Sequence, residues 1–142
     1  MKSYTFKIVP KRSSGFHVII EASESNTLDQ LHRAILDALR WDEDHLYSFF
    51  MSGKAWDRET EFSKYDCVED MPMPRDQNSK KAKINSLAVK AGDRFLYLYD
   101  YGDCHEFDIE VLDIRTVSRK GSHPMILELR GRVPVQYPPI GE

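Results

Sequence analysis

At 142 residues the chain has the length of one domain, residues 1–142, and its 41% apolar content suffices for a core without a structural metal or disulfide. A net charge of −3, from 20 basic and 23 acidic residues, argues against a dedicated nucleic-acid binder, which is usually basic overall. Two widely separated cysteines, Cys67 and Cys104, suggest free thiols in a reducing compartment; with no apolar leader and no run long enough for a membrane span, the expected location is the cytoplasm.

Tyr4, Phe6 and Ile8 alternate with Thr5, Lys7 and Val9, and after a Pro10–Gly15 turn Phe16, Val18 and Ile20 alternate with His17, Ile19 and Glu21. This period of two predicts an opening β-hairpin. Thr27 and Gln30 have the spacing of a capping box, and Leu28, Leu31, Ile35, Ala38 and Leu39 follow as one apolar helical stripe. The helix is expected to end near Arg40-Trp41, with Asp42-Glu43-Asp44 turning the chain outwards. The aromatic-rich residues 46–51 read as a buried strand.

Residues 52–83 read as a long loop or insertion: Trp56, Phe62 and Tyr65 lie among charges, and Met71-Pro72-Met73-Pro74 disfavours regular structure. The segment has room for a short edge strand near Trp56, or is an insertion that covers something. Residues 84–89 suggest one helical turn, ended by Ala91-Gly92-Asp93. Phe95-Leu96-Tyr97-Leu98-Tyr99 is apolar on both faces and belongs at the centre of a sheet. In the long strand 105–117, apolar residues fall at Phe107, Ile109 and Val111, then change parity to Leu112 and Ile114, which predicts a β-bulge. Gly121 marks a turn, residues 124–130 a last strand, and residues 131–142, with Pro134, Pro138 and Pro139, an extended tail.

The expected fold is therefore α+β: a curved, mainly antiparallel sheet of about six strands on one main helix, in the order β-β-α-β-loop-β-β-β. One helix covers one face, so the other needs the long loop, the tail or a second subunit. Exposed sheet edges leave a homo-oligomer open.

Several segments resemble a known family. Leu28-Asp29-Gln30-Leu31-His32, followed by Trp41-Asp42-Glu43-Asp44-His45-Leu46 and Phe49, is similar to the helix-and-turn signature of the plasmid pRiA4b ORF-3-like proteins. Gly92-Asp93-Arg94-Phe95, then Tyr97 and Tyr99-Asp100-Tyr101-Gly102-Asp103, resembles the family's tyrosine-rich second signature, and Pro134, Gln136 and Tyr137 resemble its end. Cys104-His105-Glu106-Phe107 stands where the family usually has a tryptophan followed by Glu-His. The resemblance implies an α+β fold and a prokaryotic, often mobile-element-associated setting, and no particular reaction.

Candidate chemistry concentrates in Asp100-Tyr101-Gly102-Asp103-Cys104-His105-Glu106. Asp100, Asp103, His105 and Glu106, joined by His45, offer nitrogen and oxygen ligands for a divalent metal or groups for catalysis, although the spacing matches no established metal motif. The favoured reading of the same residues is a hydrogen-bonded turn, with no cofactor required. His32, at the edge of the helical stripe, reads as a buried, satisfied histidine. Adjacent strand residues point to opposite faces, which argues against a Cys104–His105 nucleophile pair. Tyr97, Tyr99 and Tyr101 share one strand face by parity and form a weak ligand platform, with core packing as the simpler role. Lys80, Lys81 and Lys83, with Arg75 nearby, are a weak candidate for phosphate contacts to nucleic acid and more simply a solvated surface. These features favour a binding or interaction module with a protein or nucleic-acid partner; the alternative is a metal-assisted hydrolase using the His/Asp cluster.

Overall fold

The opening hairpin forms as its alternation requires: β1 (Lys2–Pro10) and β2 (His17–Ser23) pair antiparallel with Phe6 opposite Ile20 and Ile8 opposite Val18. The structure, a computed structural model, describes residues 1–12, 15–63, 67–68, 71–72, 77–118 and 123–136. Tyr65, Met73, Pro74, Arg75, the expected turn at Gly121 and the tail beyond Gln136 lie outside the described residues.

Helix α1 (Leu28–Leu39) begins at the capping box: Thr27 Oγ1 accepts from the Gln30 N–H at 3.2 Å, and Gln30 Oε1 accepts from the Thr27 N–H at 2.9 Å. Its stripe Leu28, Leu31, Ile35, Ala38 and Leu39 is buried in the main core, and Arg40 ends it in the left-handed conformation.

The remaining strands are β3 (Tyr47–Phe50), β4 (Glu61–Ser63), β5 (Cys67–Val68), β6 (Met71–Pro72), β7 (Arg94–Tyr99), β8 (His105–Thr116) and β9 (Met125–Arg130). Among the described residues seven of the nine form one antiparallel sheet in the order β4-β3-β7-β8-β1-β2-β9. The expected six strands become seven because the edge strand near Trp56 exists, displaced to Glu61–Ser63. Trp56 itself has a positive φ of 66° and packs edge-on against Phe50 and Tyr101. Met71–Pro72 is also not irregular: it pairs with Cys67–Val68 in a separate two-stranded ribbon.

β7 lies in the interior of the sheet between β3 and β8, buried on both faces. Phe95, Tyr97 and Tyr99 face the main core, whereas Leu96 and Leu98 join Phe50 in a smaller cluster covered by Ala55 and Tyr101. The first part of the expected long loop thus covers one end of the sheet's second face. The parity change in β8 is a bulge: Val111 pairs with Phe6 and Asp113 with Thr5, so Leu112 is the extra residue and Ile114 returns to the core side.

The end of the expected loop is structured too. Gln77 Nε2 donates to the Glu61 carbonyl at 2.7 Å, the Ser79 N–H donates to the Ser63 carbonyl at 2.7 Å, and Asn78 bridges Ser63. The Ser79 and Ala82 carbonyls accept from the Asp29 and Leu28 N–H groups at 3.0 Å each, satisfying donors that a helix start leaves unpaired. One segment therefore covers the β4 edge and the α1 N-terminus, and a 3-10 turn, Ile84–Leu87, follows it.

Candidate functional site

The site is assembled where β7 leaves the sheet. Asp100 takes φ 68° and Cys104 takes φ 53°, so two non-glycine residues in left-handed geometry bound the turn. Asp100 stabilises it locally: its Oδ1 accepts from the Gly102 N–H at 3.0 Å and the Asp103 N–H at 3.3 Å, and its carbonyl accepts from the Cys104 N–H at 2.6 Å. The expected hydrogen-bonded turn is thus present. Cys104 Sγ donates to the Tyr101 carbonyl at 3.2 Å.

The α1–β3 connection is folded over this turn by Tyr99. The Tyr99 hydroxyl donates to the Asp42 carbonyl at 2.5 Å and accepts from the Asp44 and His45 N–H groups at 2.9 and 3.2 Å. The Asp100 N–H adds a bond to the Leu46 carbonyl at 2.7 Å. Together they bring the His45 Nε2 to 3.4 Å from Asp100 Oδ2 and 3.3 Å from Asp44 Oδ1. Gln136 fixes the same connection from the far end of the chain, its Oε1 accepting from the Asp42 N–H at 2.8 Å and its Nε2 donating to the Asp42 carbonyl at 3.1 Å.

Asp100, Asp103 and His105 converge, with one potential ligand atom from each lying within 4.8 Å of the others. Asp100 is buried, Asp103 exposed and His105 half-buried. Donors bound to one zinc ion at about 2.1 Å stand roughly 3.0–3.5 Å apart, so only a small contraction is needed, which the exposed Asp103 side chain can make. The His105 ring lies edge-on to Trp41 with centroids 4.6 Å apart, and its Nε2 is buried with no hydrogen-bond partner. An unpaired buried polar atom is costly, and a ring nitrogen is a metal ligand or a hydrogen-bonding group. His45 joins this cluster through Asp100 and does not contribute one of the three converging atoms. Glu106 alternates away from His105 along β8 and stays outside the three.

His105 also lines an open pocket of about 330 Å³, together with Pro10, Arg12, Trp41, Glu106, Phe107, Pro134 and Val135. Trp41 is fixed there by its Nε1–H, which donates to the Pro134 carbonyl at 2.9 Å. Sequence reasoning missed this pocket. Its walls come from positions as far apart as Trp41 and Pro134, and no local spacing reports such a meeting.

The tyrosine platform is corrected. Tyr97 and Tyr99 are fully buried, and burial raises both phenols above their ordinary range, so they are neutral core groups. Tyr101 lies on the opposite face beside Leu98, because the left-handed turn at Asp100 breaks the strand parity on which the shared face depended. His32 is buried as expected. It stacks on Tyr47 at 3.6 Å, its Nδ1 lies 2.6 Å from the Tyr97 hydroxyl, and Nε2 lies 3.5 Å from Glu43. Lys80, Lys81 and Lys83 are exposed on the segment that caps α1, while Ser79, Ala82 and Ile84 between and beside them are buried.

A model of the family described as plasmid pRiA4b ORF-3-like protein matches residues 18–136. The chain belongs to this family. A relative, the uncharacterised protein y4hQ of Sinorhizobium fredii, is 32% identical over 109 residues, covering 75% of this chain and 50% of its own length. The chain thus spans about half the length of that curated relative. The crystal structure of a protein of unknown function, MM3350 from Methanosarcina mazei Go1, superimposes with a TM-score of 0.74 over 94% of this chain and 72% of its own, at 22% identity. That likeness supports the α+β fold alone. No helix among the described residues is long and apolar enough to cross a membrane.

Proposed function

We propose that this domain is a ligand-binding module organised round a divalent-cation site made by Asp100, Asp103 and His105. The observation that carries the reading is the convergence of three donor atoms beside a buried, unpaired His105 nitrogen. One imidazole and two carboxylates suit zinc or manganese, and three protein ligands leave coordination positions free for water or a ligand. His45 holds the Asp100 carboxylate from outside the cluster, as partners of metal ligands commonly do. The adjoining pocket, with Trp41, Phe107, Pro134 and Val135 beside Arg12, favours a small anion with an apolar body. The family's plasmid-borne namesake is consistent with a mobile-element setting.

A metal-assisted hydrolase is the second reading, favoured by the open coordination positions next to a pocket. Both readings meet the same first test. Thermal unfolding is followed with increasing Mn²⁺, Zn²⁺ and Mg²⁺. At about 100 times the dissociation constant, a native-state site contributes about 2.7 kcal/mol, which for this length raises Tm by about 9 °C. Asp103→Asn, at an exposed position, should abolish the rise while leaving the metal-free Tm within a degree or so of wild type. A wild-type Tm indifferent to all three ions sinks the proposal.

A further inference from the structure

The two edges of the main sheet are treated differently. The β4 edge is covered by Gln77, Asn78 and Ser79. β9 pairs only with β2, and no described residue bonds its outer edge. Its side chains are those of an interface: Met125 is 61% exposed, Leu127 49%, Leu129 42% and Ile126 40%. Proteins usually protect such an edge with charges, above all lysine, with proline, a bulge or a covering segment, and of these β9 has one bulge and the charges of Glu128 and Arg130. Residues 125–130 contain neither lysine nor proline.

We propose that β9 pairs with β9 of a second copy, antiparallel about a two-fold axis, joining two sheets into one continuous fourteen-stranded sheet. The strand's own pattern selects a like partner. Pairing with β2 is shifted between Ile19 and Ile20, with Glu128 opposite Ile19 and Ile126 opposite Ile20, so Leu127 is an extra residue. This bulge places Ile126 and Leu129 together on the α1 side, Leu129 opposite buried Val18 and Ile126 opposite buried Ile20. An antiparallel axis between Leu127 and Glu128 sets Ile126 beside Leu129 of the partner subunit, and by symmetry the reverse. The two exposed apolar residues on the helix side of each copy then cover each other. The strand carries one acid, Glu128, and one base, Arg130, and this register opposes no like charges. Glu128 is already held by His17 at 2.8 Å, which keeps its charge satisfied on the outer face. A six-residue strand pair is small for an interface, so the dimer is reversible and concentration-dependent.

Sedimentation velocity over a range from low micromolar to submillimolar protein tests the pairing. The expected result is a shift from one to two chain masses in wild type. Leu127→Lys and Met125→Lys should each stay at one mass across the range with an unchanged circular dichroism spectrum. Should either variant fold poorly, amide exchange of the wild type decides: residues 126–129 should gain protection with concentration, and β4 amides should not. A wild type that remains at one mass throughout, or a dimer that survives both lysines, overturns the proposal. The metal titration is unaffected by either outcome.

Discussion

Replacing Tyr99 by Phe removes one oxygen and tests how the site is built. That hydroxyl bonds the Asp42 carbonyl and the Asp44 and His45 N–H groups, the main ties found between the α1–β3 connection and the end of β7. The Asp44 and His45 N–H groups lose this acceptor, the Asp42 carbonyl keeps its bond from Gln136 Nε2, and the ring keeps its packing in the core. A typical bond contributes about 1 kcal/mol net, and a buried orphan costs about 1–3 kcal/mol. The connection is partly open to solvent, so water replaces some of these bonds and the expected loss is about 2 kcal/mol. With an unfolding entropy of roughly 0.3 kcal/mol/K for 142 residues, Tm falls by about 7 °C. Urea unfolding monitored by tryptophan fluorescence should show the same loss with an unchanged slope, because the surface exposed on unfolding is the same. A change below about 0.5 kcal/mol would refute the claim that this hydroxyl holds the His45 segment in place.

Two further substitutions probe other joints. A Cβ on Gly131 would lie 1.9 Å from the Gly15 carbonyl oxygen, and φ there is +91°, so Gly131→Ala should cost about 2–4 kcal/mol by chemical denaturation; a loss under 1 would contradict the close approach of β9 to the hairpin turn. The Glu24 carboxyl is held below its ordinary range, first by the Lys2 N–H that it accepts at 2.8 Å. A depressed carboxyl stabilises the fold above its unfolded pKa and loses that contribution as pH falls through the folded value. Glu24→Gln should therefore be less stable than wild type at pH 7, with the gap closing in acid; a gap that widens towards low pH would reverse the assigned sign.

Much of the architecture was legible because it rests on local rules. Thr27 and Gln30 form the capping box their spacing announces, and the apolar parity change from Val111 to Leu112 is a bulge. Phe95 to Tyr99, apolar on both faces, is an interior strand. What escaped rests on partners distant in the chain. Strand β4 is three residues long and contains a buried glutamate, whose carboxylate is accommodated by the Ser48 hydroxyl at 2.5 Å and Arg58 at 2.9 Å. No alternation rule places a carboxylate in a core without knowing those neighbours. Parity puts Tyr101 on the wrong face, because a positive φ at an aspartate is not encoded in it. At the site, the residue types Asp100, Asp103, His105 and His45 were readable as candidates. Their grouping into three converging atoms and one outer support was not, because it depends on how Tyr99 folds the connection over the turn.

The clamp formed by Gln77, Asn78 and Ser79 has a consequence for chain length. Ser63 and Asn78 are joined by a β-bridge, so the stretch of chain between them begins and ends at nearly the same place. Entropy of closing such an excursion grows only logarithmically, by about 0.6 kcal/mol for each doubling. Sequence can thus be lengthened or exchanged between these two positions at little thermodynamic cost, while the clamp keeps the helix start and the β4 edge in register.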